Sequence, residues 1–275
     1  MKPLKSIAFI VNRSKPDAEA IADELRNQAR SEGLETCIAS DHPVPRGIFD
    51  DIDACCVIGG DGTLLGVVSE AVEKQVPVLG INLGKLGFMA TLSEAEARTD
   101  FKAVIAGEYR IDRRTVLQCT TASGAQTLAL NDIVIKHSSL GLVSLEVLSD
   151  HMEVNDYNCD GLIFTTPTGS TAYNLSAGGP IIHPEAHVVA LTPICPHTLS
   201  NRSVIFDQQT HLTVVPKVSS ESLRIIIDGH CKLECPVEFP LEIRVAPQPF
   251  QLILQTDYTH FRLVRNKLLW GNGSV

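Results

Sequence analysis

Residues 54–68 read Ala54-Cys55-Cys56-Val57-Ile58-Gly59-Gly60-Asp61-Gly62-Thr63-Leu64-Leu65-Gly66-Val67-Val68. The first five form an unbroken apolar run, the pattern of a strand buried on both faces. A glycine loop with a single carboxylate follows, and then a second apolar stretch that reads as a helix. The glycines permit positive φ and let the backbone approach a ligand closely. Amides of Gly59, Gly60, Gly62 and Thr63, with the start of the following helix, make a seat for phosphate. An acid within such a seat repels the ligand. Asp61 makes chemical sense if it takes a proton from an attacking hydroxyl while phosphate arrives beside it. The plain alternative is a tight strand-to-helix turn whose Asp only caps the helix.

Working outward, strand and helix alternate over the first hundred residues. Ile7–Val11 is a continuous apolar run, and a helix from about Asp17 places Ala18, Ile21, Ala22, Leu25 and Ala29 on one stripe. Further strands are expected at Leu34–Ala39 and Pro77–Asn82, and helices at about 63–75 and 93–107. The last of these opens with Ser93 as N-cap and Glu96 three residues on. This alternation predicts a Rossmann-like α/β domain with a parallel sheet and ligand at the strands' C-terminal ends. Both the Gly59–Thr63 loop and the Asn82–Phe88 loop fall at such ends.

After Tyr109 the helical period fades. Short β-rich segments take over at Thr115–Thr121, Thr127–Ile135, Val143–Leu148, Gly161–Thr165, His211–Val215, Leu223–Asp228 and Val237–Val245. One helix is expected from Ser170-Thr171-Ala172-Tyr173 to the stop signal Gly178-Gly179-Pro180. The division predicted is an α/β domain over 1–108, a β-rich, β-sandwich-like domain over 109–249, and a tail over 250–275 that completes the first domain.

Composition narrows the function. The 275 residues are 44% hydrophobic and 20% charged, so the chain has enough apolar material for a sizeable core. A net charge of −9 and 5% aromatic content leave neither a basic footprint nor a stacking platform for nucleic acid. No run reaches the ~18 apolar residues of a membrane span, so neither nucleic acid nor membrane is an expected partner. Eight cysteines scattered in apolar runs read as small hydrophobes of a reducing, cytoplasmic compartment. His230-Cys231-Lys232-Leu233-Glu234-Cys235 has no second ligand pair nearby, so no resident metal is assigned. Lys85, between Gly84 and Leu86, reads as a solvated lysine more readily than as a phosphate partner.

Five separated motifs carry a resemblance. They are Gly59–Thr63; Asn82–Phe88; Leu130-Asn131-Asp132-Ile133-Val134-Ile135; the run from Asp160 through Pro167-Thr168-Gly169-Ser170-Thr171-Ala172-Tyr173 to Pro180; and Leu191-Thr192-Pro193-Ile194-Cys195-Pro196-His197-Thr198-Leu199-Ser200-Asn201-Arg202. Together they resemble the bacterial NAD kinases over nearly the whole chain. The resemblance implies transfer of a terminal phosphoryl group, from ATP with Mg²⁺ or from polyphosphate, to the adenosine ribose 2′-hydroxyl of NAD. It implies Asp61 as general base and Gly62 with its neighbours facing phosphate. It further implies that Asn131 and Asp132 contact the adenosine half of NAD, where the family more often has Asn-Glu. Thr171, Ala172, Tyr173, Asn174, Leu175 and Ser176 would wrap the dinucleotide, Phe88 would wall the pocket, and Asp160 would contact the nicotinamide half. Asn158 stands where a basic side chain is common, and His230 replaces the Gln of an Asp-Gly-Gln turn. A homodimer or homotetramer is implied as well, because family members complete the dinucleotide site with a neighbouring subunit.

Three rivals remain at this level. A dinucleotide oxidoreductase would carry Gly-x-Gly-x-x-Gly after its first strand, whereas the turn here is Val11-Asn12-Arg13-Ser14-Lys15-Pro16. A catalytically silent NAD(H) sensor is disfavoured by Asp61. A lipid or sugar kinase would share only the Gly-Asp loop. No Walker-type Gly-x-x-x-x-Gly-Lys-Ser/Thr is present, so ordinary P-loop chemistry is excluded.

Overall fold

The computed structural model describes residues 1–40, 44–84, 87–90, 92–139, 141–198, 200–219, 222–230, 233 and 237–270. In chain order the first elements are β1 (Ser6–Val11), α1 (Ala18–Ser31), β2 (Glu35–Ala39), β3 (Ala54–Gly59), α2 (Asp61–Leu65), α3 (Val68–Lys74), β4 (Val78–Asn82), β5 (Leu92–Ser93), α4 (Glu94–Ile105) and β6 (Arg110–Arg114). Then come β7 (Leu117–Thr120), β8 (Gln126–Ala129), β9 (Asp132–His137), β10 (Val143–Ser149), β11 (Met152–Cys159) and β12 (Gly161–Thr165). A 3-10 turn at Thr168–Thr171 leads into α5 (Tyr173–Ser176), β13 (Val188–Ile194), β14 (Val204–Asp207), β15 (Leu212–Pro216), β16 (Leu223–Ile227) and β17 (Leu241–Val245). The tail forms β18 (Phe250–Leu254) and α6 (His260–Leu268). The chain divides into two units, Met1–Arg113 with Phe250–Val275, and Arg114–Pro249.

The first unit is a seven-stranded sheet in the order β2-β1-β3-β4-β18-β6, with β5 on β4. Pairs β1–β2, β1–β3, β3–β4 and β4–β18 are parallel. Every residue of β1, β3 and β4 is buried, which explains their continuous apolar sequences. Helix α1 buries the stripe read from its sequence: Ala18, Ile21, Ala22, Leu25 and Ala29. Ser93 caps α4 in a capping box, its hydroxyl accepting from the Glu96 amide while the Glu96 carboxylate accepts from the Ser93 amide. The helix expected at 63–75 is instead two pieces, α2 and α3. Gly66, a weak helix former, falls at the break.

The second unit packs a six-stranded sheet, β11-β10-β15-β17-β7-β8, against a five-stranded one, β14-β13-β12-β9-β16. Its ladders are antiparallel. Residues of both sheets, including Leu117, Ile135, Leu145, Phe164, Leu191 and Ile243, share one apolar core, as in a β-sandwich. The single strand expected at Thr127–Ile135 is two strands, broken at Leu130-Asn131. Strands β11, β13 and β14 are not expected from sequence: β11 and β14 are mixed in polarity, and the apolar run of β13 contains Pro193, which reads against a strand.

Cys55, Cys56, Cys119 and Cys159 are buried, and burial raises each thiol, Cys119 to about 12 and Cys159 to about 11. Thiols so placed behave as small apolar side chains. Among the described residues, no helix is long and apolar enough to cross a membrane.

Candidate active site

Asp61 opens α2 directly after β3, half-buried, and its carboxylate is held from the next loop. Oδ2 accepts the Phe88 amide at 2.8 Å, and Oδ1 accepts those of Met89 and Ala90 at 3.1 and 2.9 Å. Three backbone donors fix the group's orientation and leave acceptor capacity on Oδ2. Gly87 makes the approach feasible, since a Cβ there would collide with the Asp61 carboxylate. Phe88 is half-buried, its ring facing the Lys267 ammonium of α6 at 5.4 Å.

The glycines of the loop work otherwise than expected. None of Gly59, Gly60 and Gly62 has positive φ, and Gly60 is extended at φ −178°. Gly59 is buried and lets the Thr63 hydroxyl pack close against it. Thr63 is itself buried and accepts a hydrogen bond from Asn12 Nδ2 at 3.1 Å. Gly59 and Thr63 therefore brace the loop from beneath, while half-buried Gly60 and exposed Gly62 remain for a ligand. Asn12 had no signal in the sequence beyond its place in the first strand-to-helix turn. Lys85 lies outside the described residues, as do Cys231, Glu234 and Cys235 of the weighed zinc reading.

A second carboxylate repeats the arrangement in the other unit. Ile227-Asp228-Gly229-His230 is a two-residue turn with φ of 49° at Asp228 and 81° at Gly229, closed by paired backbone hydrogen bonds between Ile227 and His230. Asp-Gly is the preferred pair where both central residues need positive φ. Asp228, 5% exposed, accepts three consecutive amides: Leu130 on Oδ2 at 2.9 Å, and Asn131 and Asp132 on Oδ1 at 2.7 and 3.1 Å. These hold the break between β8 and β9. From the other side the carbonyls of Leu130 and Asn131 accept the hydroxyls of Thr166 and Thr165 at 2.6 and 3.0 Å. Gly169 lies so close to Asn131 that a Cβ would strike its backbone. Asp228 was not assigned a role from sequence; the Asp-Gly dipeptide after an apolar run was its signal.

Asn131, Asp132, Ala172, Tyr173 and Asp228 line one cavity of about 420 Å³. Asp132 is 4% exposed, and burial first, with the Asp228 charge second, raises its carboxyl to about 7. Tyr173 is 41% exposed, enough to offer its ring to a ligand. Thr171 and Leu175 are half-buried and Ser176 exposed. Neither Ser170 nor Thr171 caps the helix. Ala172 takes the N-cap position without a side-chain bond, while the two hydroxyls donate to the carbonyls of Pro167 and Thr168. Asn174 also departs from expectation. It is fully buried, donating to the carbonyls of Ser170 and Pro180 and accepting from Thr192 at 2.7 Å. Its amide clamps the turn rather than reaching a ligand.

Asn158, Asp160 and His230 are exposed. The register pairs Thr165 with Asp132 and Gly161 with Lys136. Asp160 thus lies at the opposite end of β12 from Asp132, about 17 Å away at the usual rise per residue. One copy of the chain thus sets Asn158 and Asp160 apart from Asp132, whereas His230 sits on the turn that carries Asp228 beside it.

Residues 41–109 match the ATP-NAD kinase N-terminal domain family, and residues 130–255 the ATP-NAD kinase C-terminal domain family. The chain is 36% identical over 288 residues to the NAD kinase of Methylococcus capsulatus, covering 98% of each chain. It is 34% identical over 282 residues to that of Sulfurimonas denitrificans, covering 98% of this chain and 99% of the relative. Among solved structures, yeast NADH kinase complexed with NADH aligns with a TM-score of 0.88 at 25% identity, over 100% of this chain and 90% of the other. An NAD kinase from Archaeoglobus fulgidus in complex with ATP shares the fold, with a TM-score of 0.78 at 21% identity over 96% and 98% of the two chains. With both domain families matched in order and near full-length identity above 30% to curated members, the chain belongs to the NAD kinase family of enzymes.

Proposed function

We propose that the chain transfers the γ-phosphoryl group of ATP to the adenosine ribose 2′-hydroxyl of NAD, giving NADP and ADP, with Asp61 as general base. The observation that carries this reading is the half-exposed Asp61 carboxylate, oriented by three backbone amides at a strand's C-terminal end. Its remaining Oδ2 acceptor site takes the hydroxyl proton as the ribose oxygen attacks the γ-phosphorus and ADP leaves. Such transfers depend on positioning and charge neutralisation more than on covalent help. Gly60 and Gly62 present backbone without side chains where phosphate has to approach.

Mg²⁺ enters as part of the substrate, bound to the ATP phosphates, where it neutralises developing charge. Among the described residues, the acidic group with suitable spacing is Glu146, Glu153 and Asp156, on the β10–β11 hairpin. Lys217 already sits against it, 3.7 Å from Glu146 and 3.1 Å from Asp156, so it does not fit a resident ion. Asn131, Asp132, Ala172 and Tyr173 hold the adenosine side of NAD. Asp160 and Asn158, a β12 strand-length away, serve the nicotinamide side of a neighbouring copy in a homodimer or homotetramer. A cytoplasmic location is supported by Cys55, Cys56, Cys119 and Cys159, free thiols buried as small apolar side chains.

The test is to incubate the purified chain with Mg²⁺ and ATP, supply NAD or NADH in parallel, and follow NADP(H) with an NADP-specific coupling enzyme. The Asp61→Asn variant is expected to lose at least ~10²-fold in kcat while still binding NAD. Near-normal turnover in that variant removes Asp61 from the role of base. Binding of NAD without product from the native chain makes it a silent sensor.

A further inference from the structure

The Asp132–Asp228 pair contains two buried carboxyls treated very differently by their surroundings. Asp228 is committed to the anion, with three amide hydrogens pointing at its oxygens. Asp132 is clasped to it: its amide donates to Asp228 Oδ1, and its carbonyl accepts the Asp228 amide at 3.0 Å. Among the described residues, no donor reaches the Asp132 carboxyl, although it is 4% exposed and lines the cavity. A carboxylate that is buried, undonated and beside a fixed anion is the one that keeps a proton.

We propose that Asp132 meets the dinucleotide as the neutral acid, donating its hydrogen to an acceptor atom of the nucleoside, so that NAD binds together with this proton. The inference rests on the dinucleotide reading above. A neutral carboxyl offers one donor and one acceptor, the same complement as the neighbouring Asn131 amide. Together they match the mixed donor–acceptor edge of a nucleobase or ribose. An ionised Asp132 would offer acceptors alone and would set a second negative charge against a ligand that carries two phosphates.

The surrounding charges do not supply the missing counterion. Lys136, four residues along β9, lines the same cavity, but it is exposed and among the described residues forms no ion pair with Asp132; β16 carries Arg224, and the following turn His230 with Asp228. Helix α5 presents Tyr173, and β12 sets Thr165 opposite Asp132 with its hydroxyl already donated to the carbonyls of Asn131 and Thr166. Of these groups, Asp228 alone bears on the Asp132 proton, and it favours retention. The short Asp132 side chain stays within the cavity that Asp228 also lines, 4% exposed.

The test is calorimetric titration of NAD into the full chain from pH 6 to pH 8.5, in two buffers of different ionisation enthalpy. With a carboxyl titrating at about 7, affinity is expected to fall about thirtyfold across this range, with uptake approaching one proton per site at the alkaline end. Asp132→Asn, a permanently neutral isostere with donor and acceptor, is expected to bind at the native low-pH level with no pH dependence. His230→Gln keeps the native slope, which separates Asp132 from the imidazole on the same turn. The proposal is overturned by native affinity that is flat or rises with pH, or by a folded Asp132→Asn that loses NAD at every pH. If the native chain phosphorylates NAD but binds it without pH dependence, the proton inference alone falls. If it neither binds nor phosphorylates NAD at pH 6, the dinucleotide reading falls with it.

Discussion

Asp61 in the first unit and Asp228 in the second solve the same local problem. Each follows a buried strand, sits at a glycine-containing turn, and receives three backbone amides from a distant segment. For Asp61 the donors lie 27–29 residues on, and for Asp228 they lie 96–98 residues back. The surroundings differ. Asp61 is half-exposed and retains acceptor capacity toward solvent, so the same anchoring that holds loop 88–90 also aims a carboxylate outward. Asp228 is enclosed, and its charge acts on the next carboxyl, Asp132. In the proposed reaction the open arrangement serves the general base, and in the proposed binding step the closed one sets a neighbour's protonation.

The comparison breaks most visibly at Asp228. Asp228→Ala strands three amides at a buried or half-buried strand break, and each unsatisfied buried donor costs about 1–3 kcal/mol. A combined loss of about 3–5 kcal/mol is expected in a denaturant melt. A loss below about 1 kcal/mol would mean that the amides find other partners.

Asp132→Asn acts in the opposite direction. A carboxyl raised from 3.8 to about 7 by folding makes the native protein lose stability as pH climbs through that window, because the folded state binds the extra proton. Relative to native, the Asn variant should gain stability between pH 4 and pH 7 and hold the gain above it. At about 1.4 kcal/mol per unit the ceiling is about 4 kcal/mol, and relaxation of the cavity brings the figure nearer 2. Thermal melts across pH read the difference, and a pH-independent offset would mean that folding does not raise the Asp132 carboxyl.

Gly87→Ala sharpens the open case. Its Cβ meets the Asp61 carboxylate, so the loop or the acid has to shift. A stability loss of about 1–3 kcal/mol is expected for overpacking of this kind. Turnover should fall by more than NAD affinity, since Asp61 is displaced while the second unit is untouched. Equal loss in both would place the substitution's effect on the fold instead.

The contrast also separates what local pattern can convey from what it cannot. Unbroken apolar runs in β1, β3 and β4 and the stripe on α1 follow from burial on two faces or one, so they were legible in the chain. So was the capping box at Ser93 and Glu96, whose partners are three residues apart. The roles of Gly59 and Thr63, the inward clamp of Asn174 and the missing cap at Ala172 were not legible. They depend on which backbone atoms the fold brings within about 3 Å, and those atoms are distant in sequence or turned by the local path.

By itself, the amino-acid sequence determined the two fold classes, the position of the Gly-Asp loop at a strand's C-terminal end, and the motifs that carry the family. Periodicity, turn chemistry and residue identity are local properties, and each acts wherever the chain happens to be. Tertiary structure alone decided that Asp61 and Asp228 would each collect three amides, and that Asp132 would share a buried cavity with a fixed anion. Hydrogen bonds and electrostatic coupling fall off over a few ångströms, so only the folded chain could bring those groups close enough to interact, through loop 88–90 for Asp61 and the register of β9, β12 and β16 for Asp132 and Asp228.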